Sequence, residues 1–223
     1  MKCSYCLLPL FALLCWLPTR ASAQAAVDAN IGFGTAHSSA AGAGIESPLS
    51  NNAFGSCSVS AGDSLCQATP SLGGFFMNLG GDIMFTHHLG LGAEASFQPA
   101  KSDYGPLQYR QTFIDGNFLY EPFSNKRWAL QLQGGLGAAR TGFSFAENSC
   151  VGTAVCVNQV QPVGTATHFQ VHAGAGVQVF VTEHFFIRPE FDLHYVPNLT
   201  DQFGSNAVPM FMVNFGYSSG RGQ

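Results

Sequence analysis

The chain has 223 residues, of which 46% are hydrophobic and 10% are charged, with 9 Lys and Arg against 13 Asp and Glu. This acidic balance excludes nucleic acid as a partner, because phosphate binding needs a basic patch. No run of 18 apolar residues occurs after position 23, which excludes a helical membrane protein. The charged fraction is low compared with about 25% in ordinary soluble domains. It suits a protein whose outer surface does not face water.

The first 23 residues are predicted to be an export signal peptide. Lys2 gives the positive charge at its start, residues 7–17 form an apolar run, and Ala21-Ser22-Ala23 matches a cleavage site. The apolar run is too short to span a bilayer as a helix. Lys2 and Arg20 leave with the signal, so seven of the nine basic residues remain against 13 acidic ones, a formal net charge of −6.

Eight segments of the mature chain alternate apolar and polar residues with a period of two, the pattern of a strand with two different faces. Each has about ten residues, the length that a tilted strand needs to cross a bilayer. The segments lie at 27–34, 75–85, 89–98, 111–120, 128–138, 168–179, 187–195 and 210–217. The connections alternate between short ones (86–88, 121–127, 182–184) and longer ones (37–73, 99–106, 146–166, 197–207).

The composition of the two faces decides between a membrane barrel and a soluble β-domain, which alternates in the same way with its apolar face inward. The polar face carries Gly, Gln, Asn and Ser with hardly any Lys, whereas a water-exposed face carries mixed charges. Aromatic residues collect at both segment ends, as in the interfacial girdles of membrane barrels. They are Phe85, Tyr120, Trp128, Phe185 and Tyr217 by the short turns, and Phe75, Phe97, Phe143, Tyr195 and Phe211 by the long loops.

The sequence therefore predicts an all-β fold, an eight-stranded antiparallel up-and-down transmembrane β-barrel in the outer membrane of a Gram-negative bacterium. Residues 1–23 are the signal peptide, 24–217 the barrel and 218–223 a short periplasmic tail. The strand at 210–217 is expected to pair with 27–34, because an open edge leaves backbone groups unsatisfied in lipid.

A network of charged side chains is predicted in the lumen. Arg188, Glu190 and Asp192 point the same way on one strand, where they are expected to meet inward acids of other strands. Those acids are Asp28, Asp82, Glu94 and Asp115. A salt-bridge plug is the favoured interpretation, because side chains fill the interior of an eight-stranded barrel. The alternative is a gate or a path for cations.

Four cysteines remain after cleavage, since Cys3, Cys6 and Cys15 belong to the signal. Two short disulfides, Cys57–Cys66 and Cys150–Cys156, are the simplest pairing in an exported protein. Free thiols and a zinc site are the alternatives, but each pair lies in a loop rich in Ser, Gly and Asn with no His beside it.

No catalytic residue, metal or cofactor is predicted. His168 and His172 are four residues apart on one strand, about 13 Å, which is too far to share a metal ion. A barrel deacylase has a Ser two residues after a His, but Val196 follows His194 at that distance. His37-Ser38-Ser39 has the Ser but opens a long Gly- and Ser-rich loop.

The chain resembles the outer-membrane protein A–like family of eight-stranded barrels. The resemblance covers the mature chain and is carried by the cleavage site, the eight segments, and the segments Phe186–Asp192 and Phe211–Tyr217. It implies an anchored barrel inserted by the barrel-assembly machinery. Family members commonly end on the aromatic residue that this machinery reads, whereas six residues follow Tyr217 here.

The predicted function is that of a structural or interaction protein that displays disulfide-tied extracellular loops. A narrow or gated porin-like pore is the alternative, and a lipid-modifying barrel enzyme is a third, weaker one. The expected partners are outer-membrane lipids, the barrel-assembly machinery and a surface ligand bound by the loops. The protein is expected to be a monomer.

Overall fold

The computed structural model describes residues 26–39, 44–46, 56–57, 66–68, 70–104, 107–151 and 155–220. The predicted signal peptide and residues 221–223 of the predicted tail lie outside these ranges. No helix in the described part of the chain is long and apolar enough to cross a membrane.

Strands dominate the described residues. They are β1 (Ala26–Ala36), β2 (Gly44–Glu46), β3 (Ser56–Cys57), β4 (Cys66–Ala68), β5 (Phe75–Met84), β6 (Leu89–Phe97), β7 (Ser102–Tyr104), β8 (Leu107–Ser124), β9 (Trp128–Val151), β10 (Val155–Phe180), β11 (Phe185–Tyr195) and β12 (Ala207–Ser219). A short 3-10 helix covers Leu199–Asp201 between β11 and β12.

Eight of these strands close into one antiparallel ring, so the predicted fold class is confirmed. Around the ring the order is β1, β5, β6, β8, β9, β10, β11 and β12, and β12 returns to β1. In that last pair Val27 lies opposite Ser219 and Ala36 opposite Met210. The predicted closure is therefore confirmed, and the closing strand runs two residues beyond Tyr217. Among the described strands β7 pairs with β8 alone, and β2 lies between β3 and β4 in a separate small sheet.

Three tight turns, at 85–88, 125–127 and 181–184, lie at one end of the barrel, the turn end. The same side-chain to backbone hydrogen-bond pattern occurs in all three turns. The side-chain oxygen of Thr86, Asn125 or Thr182 accepts hydrogen bonds of 2.8–3.3 Å from backbone N–H groups two and three residues further on. Side chains of this type favour turns because they replace backbone partners. The opposite end, with the longer connections, is the loop end.

The outer surface of the ring is apolar, which confirms the predicted assignment of the faces. Leu91 is 56% exposed, whereas Asp82 and Arg188 are 5% and 1% exposed. A soluble barrel has the opposite arrangement. The aromatic residues at the turn end are exposed as predicted. At the loop end the prediction was wrong for Phe143, which is only 3% exposed because its position on β9 points inward.

The interior differs from the prediction at the loop end, where it is apolar and closed. Inward strand residues such as Phe76 and Phe113 meet residues of the connections such as Leu199 and Phe203, and all are fully buried. We call this cluster the loop-end cap; it contains Ala36, Leu72, Phe76, Tyr104, Leu107, Tyr109, Phe113, Ala139, Phe143, Val196, Leu199, Phe203, Val208, Met210 and Met212. A smaller cluster of Ala26, Met84 and Leu119 lies at the turn end.

The predicted loop at 146–166 is wrong, because β9 and β10 continue through most of it as a hairpin. Within it Val155, Val157, Val160 and Val163 are β-branched residues, which favour extended backbone. A bulge between Pro162 and Gly164 interrupts the pairing, as expected for proline, which cannot donate to a strand ladder.

Candidate functional site

The turn-end half of the interior is polar and is organised around Arg188 on β11. Its Nη1 donates to Asp82 Oδ2 on β5 at 2.8 Å, and its Nε lies 2.6 Å from Glu190 Oε2. Nη1 also donates to Gln131 Oε1 on β9. The guanidinium therefore joins three strands across the ring, with both carboxylates as ionic partners.

Amide side chains extend this arrangement to further strands. Gln133 Nε2 on β9 donates to Glu190 Oε1 at 2.8 Å and to Asp192 Oδ1 at 3.0 Å. Asn214 Nδ2 on β12 donates to Glu190 Oε2 at 3.3 Å. We call these residues, with Arg188, Asp82 and Gln131, the charge network. Each buried carboxylate in it has polar partners, as desolvated charges require.

Two histidines lie beside the charge network, opposite each other in the register of β10 and β11. The ring of His194 is stacked between Phe113 and His172, with centroid distances of 4.6 and 4.5 Å. His172 Nε2 lies 3.0 Å from Asp192 Oδ1, which links it to the charge network. Alternation placed both histidines on inward faces, but their proximity depends on the strand register, which the sequence does not state.

A second set of carboxylates faces these histidines. Ligand-type atoms of Glu94 on β6, Asp115 on β8 and His172 all lie within 4.8 Å of one another. His172 Nδ1 is 3.8 Å from Glu94 Oε1, and His194 Nδ1 is 3.8 Å from Asp115 Oδ2. We call these four residues the histidine group.

The predicted lumen residues thus fall into two neighbouring sets. Arg188 forms ion pairs with Asp82 and with Glu190, whereas Glu94 and Asp115 belong to the histidine group. Asp192 contacts both sets. Asp28 is separate, and its Oδ2 accepts a 3.1 Å hydrogen bond from Gln178.

The loop-end cap is held by aromatic packing. The ring of Tyr104 makes edge-to-face contacts with Tyr109, Phe143 and Phe203 at centroid distances of 5.0–5.8 Å. Its hydroxyl donates to the backbone carbonyl of Gln202. Burial raises the pKa of Tyr104, so the hydroxyl keeps the proton that this bond needs.

The backbone register places the two predicted cysteine pairs differently. Cys150 lies opposite Cys156 in the β9–β10 hairpin, and facing residues of an antiparallel pair are about 4.5–5.5 Å apart at Cα, within disulfide range. Cys57 and Cys66 lie on opposite sides of β2, opposite Gly44 and Glu46. The cysteine side chains lie outside the described part of the structure, so both disulfides stay predictions.

The residues considered for hydrolysis do not form a nucleophile–base pair. Val196, where a barrel deacylase has Ser, is fully buried. The Ser38 hydroxyl donates to the backbone carbonyl of Ser205 at 3.1 Å, and the neighbouring His37 is exposed. These positions give no support to a nucleophilic mechanism, which needs hydroxyl and imidazole within hydrogen-bond reach.

Solved structures with a similar fold are small membrane barrels. Neisserial surface protein A matches with a TM-score of 0.50 and 12% identity over 88% of this chain and 96% of that chain. Ail, the attachment invasion locus protein of Yersinia pestis, matches with a TM-score of 0.49 and 12% identity over 88% and 99%. OprG from Pseudomonas aeruginosa gives 0.45 and 14% over 88% and 98%. At these identities the likeness concerns the fold alone.

A comparison with curated protein sequences gives no match. A family model described as the outer membrane protein beta-barrel domain matches residues 6–218. This match covers nearly the whole chain, and it agrees with the closed ring, the apolar outer surface and the polar interior. The chain belongs to the outer membrane protein beta-barrel family.

Proposed function

We propose that the protein is a closed outer-membrane barrel that anchors an extracellular β-ribbon, through which it contacts other molecules. The observation that carries this proposal is the length of the β9–β10 hairpin. The pairing of β8 with β9 ends at Ser144 of β9, and the pairing of β11 with β10 ends at Val171 of β10. Beyond these points, within the described residues, the two strands pair only with each other.

We call residues 145–151 and 155–161 the ribbon. Residues 160–163 at its base are exposed at four successive positions, so both faces meet solvent there. Long connections of an outer-membrane barrel lie on the extracellular side. A two-stranded arm whose outer edges pair with no other described strand is suited to contact, since strand edges can accept a further extended chain.

The filled interior supports an anchoring role rather than transport. The loop-end cap closes one half of the barrel with buried apolar side chains, and the charge network fills the other. A narrow cation path is the second candidate, because the polar half is lined by buried carboxylates. Current recordings across a bilayer distinguish the two functions.

The ribbon is tested by shortening it at a defined position in the register. Phe145 lies opposite Gln161, so residues 146–160 can be replaced by Asn-Gly, a pair that favours a two-residue hairpin turn. Cells that display the shortened chain should lose adherence to an immobilised panel of extracellular-matrix proteins, compared with cells displaying the full chain.

The matched control replaces only residues 152–154 by Asn-Gly and keeps the ribbon. It should adhere like the full chain, at equal amounts of folded barrel in the membrane. Unchanged adherence of the shortened chain would contradict the proposal.

A further inference from the structure

The buried interior has more negative than positive side chains. The described residues include one buried Arg, Arg188, and seven buried carboxylates. The carboxylates belong to Asp28, Asp82, Glu94, Asp115, Glu121, Glu190 and Asp192. Arg188 makes its ion pairs with Asp82 and Glu190. Among the described residues neither Glu94 nor Asp115 forms an ion pair with Arg or Lys, and each lies 3.8 Å from a histidine, which carries charge only when protonated. A bound cation would offset their charge, because buried charges without partners are costly.

The geometry of the histidine group fits a metal ion. Glu94 and Asp115 lie opposite each other on β6 and β8, and His172 reaches them from β10. Their nearest donor atoms are within 4.8 Å of one another. Two ligands bound to one Zn²⁺ at about 2.0–2.2 Å each lie at most about 4.4 Å apart. Small rotations of these side chains would bring all three donors to one ion.

Neighbouring side chains hold two of these ligands in orientation. Asp192 Oδ1 lies 3.0 Å from His172 Nε2, which directs Nδ1 toward Asn117 Oδ1 at 3.1 Å and Glu94 Oε1 at 3.8 Å. Gln170 Nε2 donates to Asp115 Oδ1 at 2.6 Å, which leaves Oδ2 free to bind. A carboxylate behind a ligating histidine and an amide behind a ligating carboxylate are the usual outer contacts of metal sites.

Atoms without hydrogen-bond partners provide an independent observation. Asp115 Oδ2 and both ring nitrogens of His194 have no partner, although the two side chains are 1% and 0% exposed. Asp115 Oδ2 and His194 Nδ1 face each other at 3.8 Å. His172 Nδ1, by contrast, is hydrogen-bonded to Asn117 Oδ1 at 3.1 Å, a contact that metal binding would replace. Buried polar atoms of native proteins have partners, so these atoms point to a species that the protein itself does not provide.

We propose that the barrel interior binds one divalent transition-metal ion of the zinc type through Glu94, Asp115 and His172. Asn117 and His194 lie beside these ligands, 3.1 Å from His172 Nδ1 and 3.8 Å from Asp115 Oδ2, and are candidates for a fourth ligand. A mixed imidazole and carboxylate set favours Zn²⁺ or Co²⁺, whereas Mg²⁺ prefers oxygen ligands and retains water. The ion would offset two of the buried negative charges. Because the loop-end cap closes that end of the interior, the ion is best supplied while the barrel folds.

The test refolds the mature chain, without a histidine tag, in detergent micelles containing Co²⁺ or Zn²⁺. After desalting we expect one metal ion per folded chain by elemental analysis, and a visible absorption band for Co²⁺. Excess Mg²⁺ should not displace the ion. Folding is verified by the heat-dependent mobility of the barrel on a denaturing gel, so the measurement concerns folded protein only.

Asp115→Asn and His172→Gln should each weaken Co²⁺ binding at least tenfold and remove the absorption band. Asp192→Asn keeps all three ligands and alters the contact behind His172, together with the hydrogen bond from Gln133. It should weaken binding about 10–100-fold and provides a test if the ligand variants fail to fold. Asp28→Asn removes an equally buried carboxylate outside the group and should bind like the wild type. Folded wild-type protein without metal, or equal binding by Asp115→Asn or Asp192→Asn, would overturn the proposal.

Discussion

Arg188 shows how much one inward side chain contributes to this barrel. Its guanidinium is 1% exposed and contacts Asp82 and Glu190 on either side. Replacing a partner in a buried ion pair leaves the opposite charge without compensation, which costs more than the pair itself contributes.

We therefore expect Arg188→Ala to lower the free energy of unfolding by about 3–5 kcal/mol. Urea unfolding in lipid vesicles, followed by tryptophan fluorescence, measures this change. Arg140→Ala is the matched control, because Arg140 is exposed on β9, and it should change stability by less than about 0.5 kcal/mol. Similar losses in both variants would show that Arg188 does not act through its buried partners.

Gly174 on β10 makes room for a member of the charge network. A Cβ atom at this position would lie 2.0 Å from Asp192 Oδ1 and 3.0 Å from Gln133 Cγ. Asp192 would have to move away from His172 Nε2, which it contacts at 3.0 Å.

Gly174→Ala should therefore destabilise the barrel by about 1–3 kcal/mol, the usual cost of an added group in a packed interior. In Gly142→Ala, also on a barrel strand, the new Cβ has no atom within 4 Å. This second variant should be neutral or slightly stabilising in the same urea titration. A neutral Gly174→Ala would mean that the interior is looser than the structure shows.

At the scale of the strands, the outward apolar face is the contact surface for lipid. Leu132 lies on β9 within the barrel and is 37% exposed, and Val160 lies on β10 at the ribbon and is 51% exposed. The two side chains are both exposed, but only the first is on a part of the hairpin that the barrel neighbours flank.

Leu132→Arg should cost about 2–4 kcal/mol of stability in lipid vesicles, because a charge on the lipid face is moved into hydrocarbon. Val160→Arg should cost nothing measurable, since its side chain meets water. Equal stability of the two variants would contradict the assignment of the lipid face.

The faces of the strands could be predicted because alternation shows which residues share a face, and the composition of the two faces shows which one is outside. Asp82 and Arg188 were both placed inward from the sequence, but their contact crosses β1 and β12, which lie between β5 and β11 in the ring. Such a contact depends on the registers of several strand pairs, and no single strand encodes them. The same reason explains why the sequence did not bring Glu94 and His172 together.

The loop-end cap and the ribbon were missed for a different reason. Leu199 and Phe203 lie in a connection without strand periodicity, and their burial follows only from the closure of the ring around them. The ribbon segment contains Gly, Ser and Asn, which indicate a loop, whereas long-range pairing of β9 with β10 makes it extended.

For the whole molecule, the closed interior predicts that the purified barrel conducts no steady current. Arg188→Ala should remain silent as well, because the loop-end cap is independent of the charge network. Planar-bilayer recordings of both proteins measure this. Large, steady, cation-selective currents of the wild type would favour the pore, and currents in Arg188→Ala alone would identify a salt-bridge gate.

The pairing of β1 with β12 has a consequence for the order of the strands along the chain. Val27 and Ser219 are neighbours in the ring, so a short linker can join the two strands, and the turn at 181–184 can be opened instead. A circular permutant of this kind keeps every strand pair of the barrel, and new ends at a surface turn are well tolerated. It should refold in detergent micelles with the heat-dependent mobility of the original, whereas a permutant opened between Leu132 and Gln133 should not. The barrel would then be specified by which strands are neighbours, and the point at which the polypeptide starts would be interchangeable.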